Sequence, residues 1–371
     1  MLCVAVMLSV MVVGAGAAFS DQSKIKNTEA VDACVALNII GGYGDNTYRP
    51  ENNITRAEVC KMICVALNGG KEPTLSVPAT PTFKDVRNDA NSSWAEKYIE
   101  SCVAQGIVGG VGNGMFQPSQ NVTGSQLAKM LLVGLGYKAD NEGFGGNGWD
   151  TKVNVIASAK GLYEGLESID TSAALSRDSA AQMIWNALNA YEVEYKNQLT
   201  TVNGQLVGTE VVQDRIDGNF GRITWLEDKY EADTYVDTFN GNYDTGVTGK
   251  EGHISVGEAS FPYDLDIKYI GEEVKVLYKD SKDGTAGQLD SKDTIYGVYV
   301  TGETDVVMAT SNDVEESGTA SNGIIKINDK KYDVAAVTEA TKVIINNYGG
   351  YEAVSVSSTN DAEAAFVSLE K

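Results

Sequence analysis

The sequence predicts a chain in two parts: an all-α half of three helix-loop-helix repeats, then a half rich in β-strands. The first observation is self-similarity, because residues 38–63 align with residues 106–131. The second is a change after Leu199, where helical periodicity gives way to short β-branched and tyrosine runs between Gly, Asn and Asp. A length of 371 residues allows two or three domains.

The start of the chain is predicted to be a signal peptide, residues 1–18. Leu2–Val13 are apolar, and Ala15–Ala17 supply the small residues of a cleavage site. No lysine or arginine precedes the apolar run, so the true start lies upstream or the chain is incomplete at this end. The run is too short to span a membrane and no other stretch is as long, so we expect export and no membrane contact after cleavage.

The charge is strongly negative and unevenly distributed. The net charge is −22, and residues 201–371 hold 31 of the 51 acidic residues. This argues against nucleic acid as a partner, because phosphate binding needs a basic face. It suits a solvated, cation-attracting extracellular surface, although solubility alone would explain it.

Four cysteines remain once Cys3 leaves with the signal peptide. Cys60 and Cys64 lie one helical turn apart, a spacing that would suit a metal pair or a disulfide. Both lie among apolar helix positions with no histidine nearby, as do Cys34 and Cys102. Free thiols packed in the core are therefore the favoured interpretation.

The repeats are predicted at residues 19–70, 80–137 and 138–192. Each starts with an amphipathic helix and continues through a glycine-containing turn, with an aromatic residue before proline in the first two repeats. A Ser or Thr then caps a second helix; the caps are Thr55, Thr123 and Ser176. Glu58 and Gln126 complete capping boxes in the first two repeats, whereas the third has Ser179 at that position.

These repeats resemble the S-layer homology family over about half of the chain. The resemblance is carried by "TRAE" (Thr55–Glu58), by "FKDV" (Phe83–Val86) followed by Trp94 and Ala95, and by Gly106–Pro118. It implies a three-pronged, pseudo-threefold helical module on a protein exported by thick-walled bacteria. It also implies that the grooves between prongs bind an anionic secondary cell-wall polysaccharide, which often carries the carboxylate of a pyruvate ketal.

Arginine occupies an unfavourable position in two of the repeats. Arg56 follows the cap directly, beside the positive end of the helix dipole, and Arg177 recurs at the matching place. Unpaired N–H groups at a helix start attract anions, and a guanidinium group matches a carboxylate. We therefore expect both arginines to contact the polymer. The alternative is a solvated Arg56 neutralised by Glu58.

The resemblance implies three further pairs of ligand-binding residues: Asp21 with Asp85, Trp94 with Trp149, and Gly42 with Gly110. The aspartates would accept hydrogen bonds from sugar hydroxyls, or would only cap loops. The tryptophans would stack on pyranose faces, or would pack in the core. The glycines would let a sugar approach the backbone, or would only serve the turn.

The repeats depart from the family pattern in two places. Gly124 replaces the arginine in the second repeat, and Lys129 is too far along the helix to substitute for it. Lys26 stands in the first repeat where the others have Trp94 and Trp149. We therefore expect one or two working grooves rather than three.

The second half, residues 200–371, is predicted to be an antiparallel β region, either a sandwich or one or two small barrels. The predicted strand runs are Gly221–Leu226, Glu272–Asp280, Thr294–Gly302 and Asn322–Val334. In the last run, Asn328–Lys331 is predicted to form a hairpin turn.

No catalytic motif is visible in the second half. His253, the single histidine, has no nucleophile in a recognisable local motif and is predicted to be a turn or surface residue rather than a base. Asp280–Gly284 and Leu289–Asp293 are acidic loops that could bind calcium. They lack the spacing of a defined calcium loop, so turn formation is favoured and no cofactor is expected.

The sequence thus predicts a secreted, non-enzymatic surface protein held on the cell wall, with self-assembly into an S-layer as an expected role. One alternative is an exported enzyme anchored by the same module, with its activity in residues 200–371 or beyond a truncated end. A carboxylate pair assembled from distant positions would escape a motif search. The other alternative is an adhesin.

Overall fold

The structure is a computed structural model. It describes residues 19–301 except 75–76, 90, 167, 203–204, 219–220, 245, 267–268 and 282–287, and beyond residue 301 only the backbone of the strands. The predicted signal peptide, with Cys3, lies outside the described residues. The chain divides into two compact units, one spanning Gly16–Ala232 and the other from Asp233 onward.

The first unit contains all the described helices. They are α1 (Thr28–Ala36), α2 (Arg56–Leu67), α3 (Glu96–Ala104), α4 (Gly124–Gly134), α5 (Ala139–Glu142), α6 (Trp149–Ala159), α7 (Arg177–Asn189) and α8 (Trp225–Tyr230), with short 3₁₀ helices at Gln22–Lys24 and Ser93–Ala95. Among the described residues, none of the helices combines the length and the apolar character needed to cross a membrane.

The second helix of each predicted repeat begins where the sequence predicts. The Thr55 and Thr123 side chains accept the N–H of Glu58 and Gln126, which complete the predicted capping boxes of α2 and α4. Ser176 caps α7 without a box, again as predicted. Each of these helices packs against a first helix of another segment, α2 against α3, α4 against α6 and α7 against α1.

The segments just before α2, α4 and α7 bond to one another in a closed ring. The Ile54 N–H donates to the Leu175 carbonyl at 2.9 Å, Leu175 to Val122 at 2.8 Å, and Val122 back to Ile54 at 3.0 Å. All three side chains are buried. Each segment uses the residue directly before its helix cap, so the ring links the starts of α2, α4 and α7.

All four described cysteines are buried and free, as the sequence predicts. Cys102 Sγ lies 3.5 Å from the carbonyl of Cys60 and Cys34 Sγ 3.8 Å from that of Ala181. Burial raises the pKa of the Cys34 thiol far above its usual value. These thiols therefore behave as small core side chains.

The first unit continues past residue 200, where the β region was predicted to begin. A hairpin of β1 (Val193–Val202) and β2 (Gln205–Asp214) leads into the short strands β3 (Ile216–Asp217) and β4 (Gly221–Arg222). The predicted strand Gly221–Leu226 is wrong beyond Arg222, because Thr224 and Glu227 form a capping box that starts α8. That box overrides the β propensity of the preceding residues.

The described part of the second unit consists of strands. They are β5 (Ala232–Asn242, whose first residue closes the first unit), β6 (His253–Val256), β7 (Ala259–Pro262), β8 (Glu273–Lys279), β9 (Thr294–Val300), β10 (Thr304–Ala309), β11 (Val314–Ser317), β12 (Ile324–Ile327), β13 (Lys330–Asp333), β14 (Val343–Tyr348), β15 (Tyr351–Val356) and β16 (Glu363–Glu370).

These strands form three sheets, in the orders β7-β6-β5-β8-β9, β11-β12-β13 and β10-β16-β15-β14. The first buries an apolar face that includes Phe239, Val256, Phe261, Val274 and Val276. The predicted strands β8, β9, β12 and β13 are confirmed. The hairpin between β12 and β13 is present with another register, because Ile327 pairs with Lys330 and β13 begins within the predicted turn Asn328–Lys331. The prediction of an antiparallel region is wrong for one pair of strands, because β10 and β16 are parallel. A sandwich or barrel arrangement stays a prediction.

Candidate functional site

The loops that follow the first helices are shaped by two aspartates. Asp21 accepts the N–H groups of Tyr48 and Arg49, each at 2.8 Å. Asp85 accepts those of Phe116 and Gln117 at the same distances. Although burial opposes it, these donors lower the pKa of Asp21. Both carboxylates therefore cap loops, which is the alternative that the sequence analysis left open. Neither of them lines the cavity described below.

Replacement of Asp85 by asparagine is expected to destabilise the unit by about 1–3 kcal/mol, because an amide offers one acceptor where two N–H groups need acceptors. The readout is chemical denaturation followed by helical circular dichroism. Asp140→Asn, on the short helix α5, is the matched control and should have little effect. Equal stability of the two variants would contradict the assigned role of Asp85.

Acid is expected to weaken the Asp21 contact. Because the folded pKa of Asp21 is lowered, its contribution to stability is present above the unfolded value of about 4 and is lost as the pH falls through the folded value. Asp21→Asn should therefore show a smaller loss of stability between neutral pH and pH values near 3 than the parent chain. An unchanged pH dependence of the free energy of unfolding would refute this.

A side chain at either of the glycines that the sequence singled out would point at an aromatic ring. A Cβ on Gly42 would lie 2.6 Å from the ring of Phe19, and one on Gly110 would lie 2.7 Å from the ring of Phe83. Glycine is therefore needed for ring packing at these positions, while both residues remain exposed at the surface, so contact with a sugar stays a prediction. Their neighbours Gly41 and Gly109 have open space at the same position, which the sequence analysis missed although adjacent extended residues face opposite ways.

The predicted anion sites at the helix starts are wrong, because the N–H groups are already used. Arg56 and Ala57 donate their N–H groups to the carbonyls of Gln120 and Pro118 at 2.9 and 3.0 Å. The N–H groups of Arg177 and Asp178 bond in the same way to Asn52 and Pro50. A ligand could therefore be held only by side chains at these places.

The Arg177 side chain is anchored in the loop of the first repeat. Its guanidinium donates to the Tyr48 carbonyl at 3.1 Å and to Glu58 at 3.2 Å, lies 3.4 Å from the carbonyl of Gly41, and has 8% of its residue surface exposed. These contacts use three of its five N–H groups. The alternative of a Glu58–Arg56 pair is therefore wrong, because Glu58 pairs with Arg177.

A cavity of about 260 Å³ opens beside the Arg177 guanidinium. We call it the Arg177 groove; it is lined by Ile39, Ile40, Gly41, Tyr43, Glu58, Lys61, Met62, Trp94 and Arg177. The Trp94 side chain is 46% exposed, so the core-packing alternative is wrong for this tryptophan. Its Nε1 donates to the carbonyl of Asn91 at 2.9 Å, which fixes the ring orientation.

Arg56 repeats this arrangement one segment further on. It donates to the carbonyls of Phe116 and Gly109, both at 3.0 Å, and its guanidinium carbon lies 4.3 Å from the centre of the Phe116 ring. Nearby in the same repeat pattern, Lys129 Nζ lies 5.4 Å from the centre of the half-buried Trp149 ring. By position in the aligned repeats, Arg56, Gly109, Lys129 and Trp149 match Arg177, Gly41, Lys61 and Trp94, and we call this set of residues the Arg56 groove.

The third interface between segments differs from the other two. A Cβ on Gly124 would lie 2.9 Å from the backbone of Thr171, so any side chain at that place would require the backbone to shift. Lys26, which stands where the other repeats have tryptophan, contributes its N–H to Asp178 at the start of α7. Gly124 and Lys26, the two departures from the family pattern, therefore both contact the third repeat.

The sequence analysis missed several members of the Arg177 groove. Glu58 was assigned to its capping box or, alternatively, to Arg56, and Lys61, Tyr43 and Gly41 were not proposed as ligand contacts. The signal was present for lysine, because Lys61 and Lys129 occupy matching positions of the aligned repeats.

The second unit has a cavity of its own, of about 710 Å³. It is lined by residues that include Asp244, Glu251, His253, Asp264 and Asp293. The prediction that His253 is a turn or surface residue is wrong, because its side chain is buried at the start of β6 and its Nδ1 lies 3.2 Å from the carbonyl of Glu251.

The predicted calcium loop Leu289–Asp293 forms a turn held by its aspartates, which was the favoured interpretation. Asp293 accepts the N–H groups of Ser281 and Asp290, and Asp290 accepts that of Lys292. Within the described residues no group of three or more acidic, histidine or cysteine side chains is placed to hold a metal ion. Residues 282–284 of the other loop lie outside the described residues.

Comparisons with known proteins agree with this picture of the first unit. The chain is 28% identical over 159 residues to a cellulosome-anchoring protein of Acetivibrio thermocellus, covering 40% of this chain and 34% of that one. It is 28% identical over 127 residues to a surface layer protein of Brevibacillus choshinensis, covering 34% and 11%. It is 33% identical over 99 residues to an endoglucanase of Bacillus sp. strain KSM-635, covering 27% and 10%.

The chain thus spans about a third or less of the length of these relatives. The family model of the S-layer homology domain matches at two places, which cover the loop of the first repeat and the start of α2, and the loop of the second repeat and the start of α4. The matched residues are 18–60 and 82–128.

Proposed function

We propose that residues 19–232 form a wall-binding module of three S-layer homology repeats in pseudo-threefold arrangement, which holds an exported protein on a bacterial cell wall. The ligand in this proposal is an anionic secondary cell-wall polysaccharide, with a pyruvate ketal as one candidate source of its carboxylate. The S-layer homology domain and the surface-protein relatives support a secreted, wall-attached location.

The observation that carries the proposal is the composition of the Arg177 groove. Arg177, Lys61 and the exposed ring of Trp94 reach one cavity from three different segments of the chain. Cations suit an anionic polymer, and an exposed aromatic ring suits the face of a sugar. A volume of about 260 Å³ lies just below the range of about 300–1,000 Å³ for drug-sized ligands and suits one ring of a chain that continues into solvent.

The third repeat is included for structural reasons. Ser176 caps α7 as the threonines cap α2 and α4, and Leu175 is one member of the closed ring of hydrogen bonds. Arg177 comes from this repeat and completes the groove of the first. A wall-binding module without residues 138–192 would therefore lose both the ring and that groove.

Trp94→Ala is expected to weaken binding to purified walls by about tenfold, corresponding to about 1.4 kcal/mol, because the variant loses an exposed stacking surface. Stability should hardly change, since the ring is half in solvent. Val155→Ala, at a side chain that is 66% exposed on α6, is the control for a surface truncation. Wall affinity unchanged in Trp94→Ala would remove Trp94 from the proposed site.

The second unit is proposed to project from the wall as a non-enzymatic surface layer, where self-assembly into a lattice and adhesion to a partner are the candidate roles. An anchored enzyme is the alternative, and the cavity of about 710 Å³ with its carboxylates is the observation that favours it. A protein named as an endoglucanase also contains sequence similar to part of this chain. Turnover of any wall glycan or peptide by the full chain, abolished in Asp264→Asn, would establish the alternative.

A further inference from the structure

We propose that the β1–β2 hairpin is a surface for self-association, on which the outer edge of β1 pairs with the same edge of a second copy of the chain. The two hairpins would then form one four-stranded antiparallel sheet across a twofold axis. The inference concerns a part of the first unit to which the wall-binding proposal assigns no role. It does not depend on the identity of the wall polymer.

The hairpin is long, regular and exposed. Its strands pair over ten residues each without a shift in register. Within the backbone that the structure describes, this sheet has just two strands, so each strand has an outer edge with no other strand beside it. Lys196–Leu199 are exposed, and 70% of the Leu199 surface is in solvent. An outer edge of this kind presents N–H and C=O groups on which another strand can pair.

The direction of the outer N–H groups follows from one bond at the base of the hairpin. Val193 donates its N–H to the carbonyl of Leu135 at 2.8 Å, away from the partner strand β2. Because successive N–H groups of an antiparallel strand point to opposite sides, those of Tyr195, Asn197 and Leu199 also point to the outer edge of β1. A strand from a second copy can therefore bond to them without breaking the bonds between β1 and β2.

The charge distribution favours a second copy as the partner. The chain has a net charge of −22, so its acidic surfaces repel those of another copy and would attract a basic partner instead. Residues 197–209, the outer half of the hairpin, contain no charged residue. The charged residues of the two strands are in ion pairs, Glu194 with Lys196, Glu210 with Lys138 and Asp214 with Lys160. The hairpin is thus a neutral surface on which two acidic chains can approach closely.

The sequence of β1 lacks the features that usually protect an edge strand. Such strands are commonly blocked by lysine, by proline or by a bulge. From Asn197 to Val202, β1 has none of these. Its partner β2 contains Gly208, and glycine weakens a strand because it has no side chain to pack. The outer edge of β1 is therefore the assigned contact.

The test is analytical ultracentrifugation of the full chain from about 1 μM to about 1 mM, because small edge contacts bind weakly. The parent should form a dimer in this range. Asn197→Pro removes one outward N–H from each copy and should weaken the dimer by about tenfold or more. Gly208→Pro is the matched control, because Gly208 lies opposite Leu199 and its N–H points to the outer edge of β2. It should leave the dimer unchanged.

A second pair of variants tests the contact without proline. Leu199→Glu places a carboxylate at the contact in both copies and should weaken the dimer by about tenfold or more. Val155→Glu adds the same charge at an exposed position of α6 and is its control. Melting curves by circular dichroism identify any variant that unfolds, and if Asn197→Pro does so, Leu199→Glu decides the test.

Salt provides an independent readout. Raising the salt from about 50 mM to about 500 mM should tighten the dimer, because it screens the repulsion between two strongly acidic chains. A dimer that salt weakens tenfold would be held by ion pairs and would contradict a neutral contact.

The remaining outcomes are equally decisive. A parent chain that stays monomeric over the whole range would overturn the inference, whatever its affinity for walls. A dimer that Asn197→Pro and Leu199→Glu both leave within twofold of the parent would overturn it as well. A dimer weakened by Gly208→Pro but not by Asn197→Pro would contradict the assignment to β1.

Discussion

Replacement of Trp225 by alanine is expected to lower the free energy of unfolding of the first unit by about 3–5 kcal/mol. Trp225 is fully buried at the start of α8, although it lies well beyond the last repeat. Its ring packs so closely on α4 that a Cβ on Gly134 would lie 2.6 Å from it. The loss therefore includes both the buried area and the cavity left behind.

The measurement is denaturant unfolding of the parent and variant chains, followed by helical circular dichroism. Trp94→Ala is the matched control, because that ring is 46% exposed and its removal should cost much less. Similar unfolding midpoints for the two variants would show that α8 is not part of the stable unit. A fragment ending at residue 192 should be weakened in the same way as Trp225→Ala, whereas one ending at residue 232 should not.

Arg56→Ala is expected to reduce affinity for purified walls by about thirtyfold or more, corresponding to about 2 kcal/mol. The change removes the cation of the Arg56 groove together with its contacts to the carbonyls of Gly109 and Phe116. Because those contacts also hold the loop, each variant needs a melting curve beside its binding curve. Arg56→Lys should recover only part of the affinity, since lysine keeps the charge but loses the planar fork.

The control for charge removal is Arg222→Ala. Arg222 belongs to the same unit, its side chain is 57% exposed, and its ion pair with Asp214 is at the surface. Equal wall affinity in Arg56→Ala and Arg222→Ala, with both chains folded, would exclude Arg56 from ligand binding. Lys229 is unsuitable as a control, because it forms an ion pair with the buried carboxylate of Glu192 in a network that includes Arg215 and Asp228.

Local signals in the sequence predicted the helical half well. Capping residues with a partner three positions on determine where a helix starts, so Thr55, Thr123 and Ser176 marked α2, α4 and α7 correctly. The same signal was present at Thr224 and Glu227 and was overlooked, because the surrounding residues have high β propensity. The β propensity was given more weight than the capping signal, although both were present in the sequence.

The contacts within the site were less predictable, because they join residues far apart in the chain. The sequence identified Arg177 only as the residue after the cap of the third repeat and named no partner for it, whereas its partners Tyr48, Gly41 and Glu58 belong to the first repeat. The N–H groups at the helix starts likewise bond to carbonyls of other segments of the chain. These bonds occupy the N–H groups that were predicted to attract anions. Pairings of this kind depend on the closed ring around Ile54, Val122 and Leu175, and no local pattern reports that ring.

The orientation of single residues was also beyond the sequence. Gly42 and Gly41 are adjacent and identical in type, yet one packs against Phe19 and the other lines the groove. Trp94 and Cys102 were both compatible with a core position, but only the cysteine is buried. These choices are set by tertiary packing, which sequence periodicity describes only on average.

The most direct measurement is sedimentation of the full chain with purified cell walls before and after chemical removal of the non-peptidoglycan polymer, with the released polymer then added back as a competitor. We expect binding to native walls, loss of binding to extracted walls, and inhibition by the free polymer. Undiminished binding to walls stripped of the polymer would contradict the proposal that the grooves hold it.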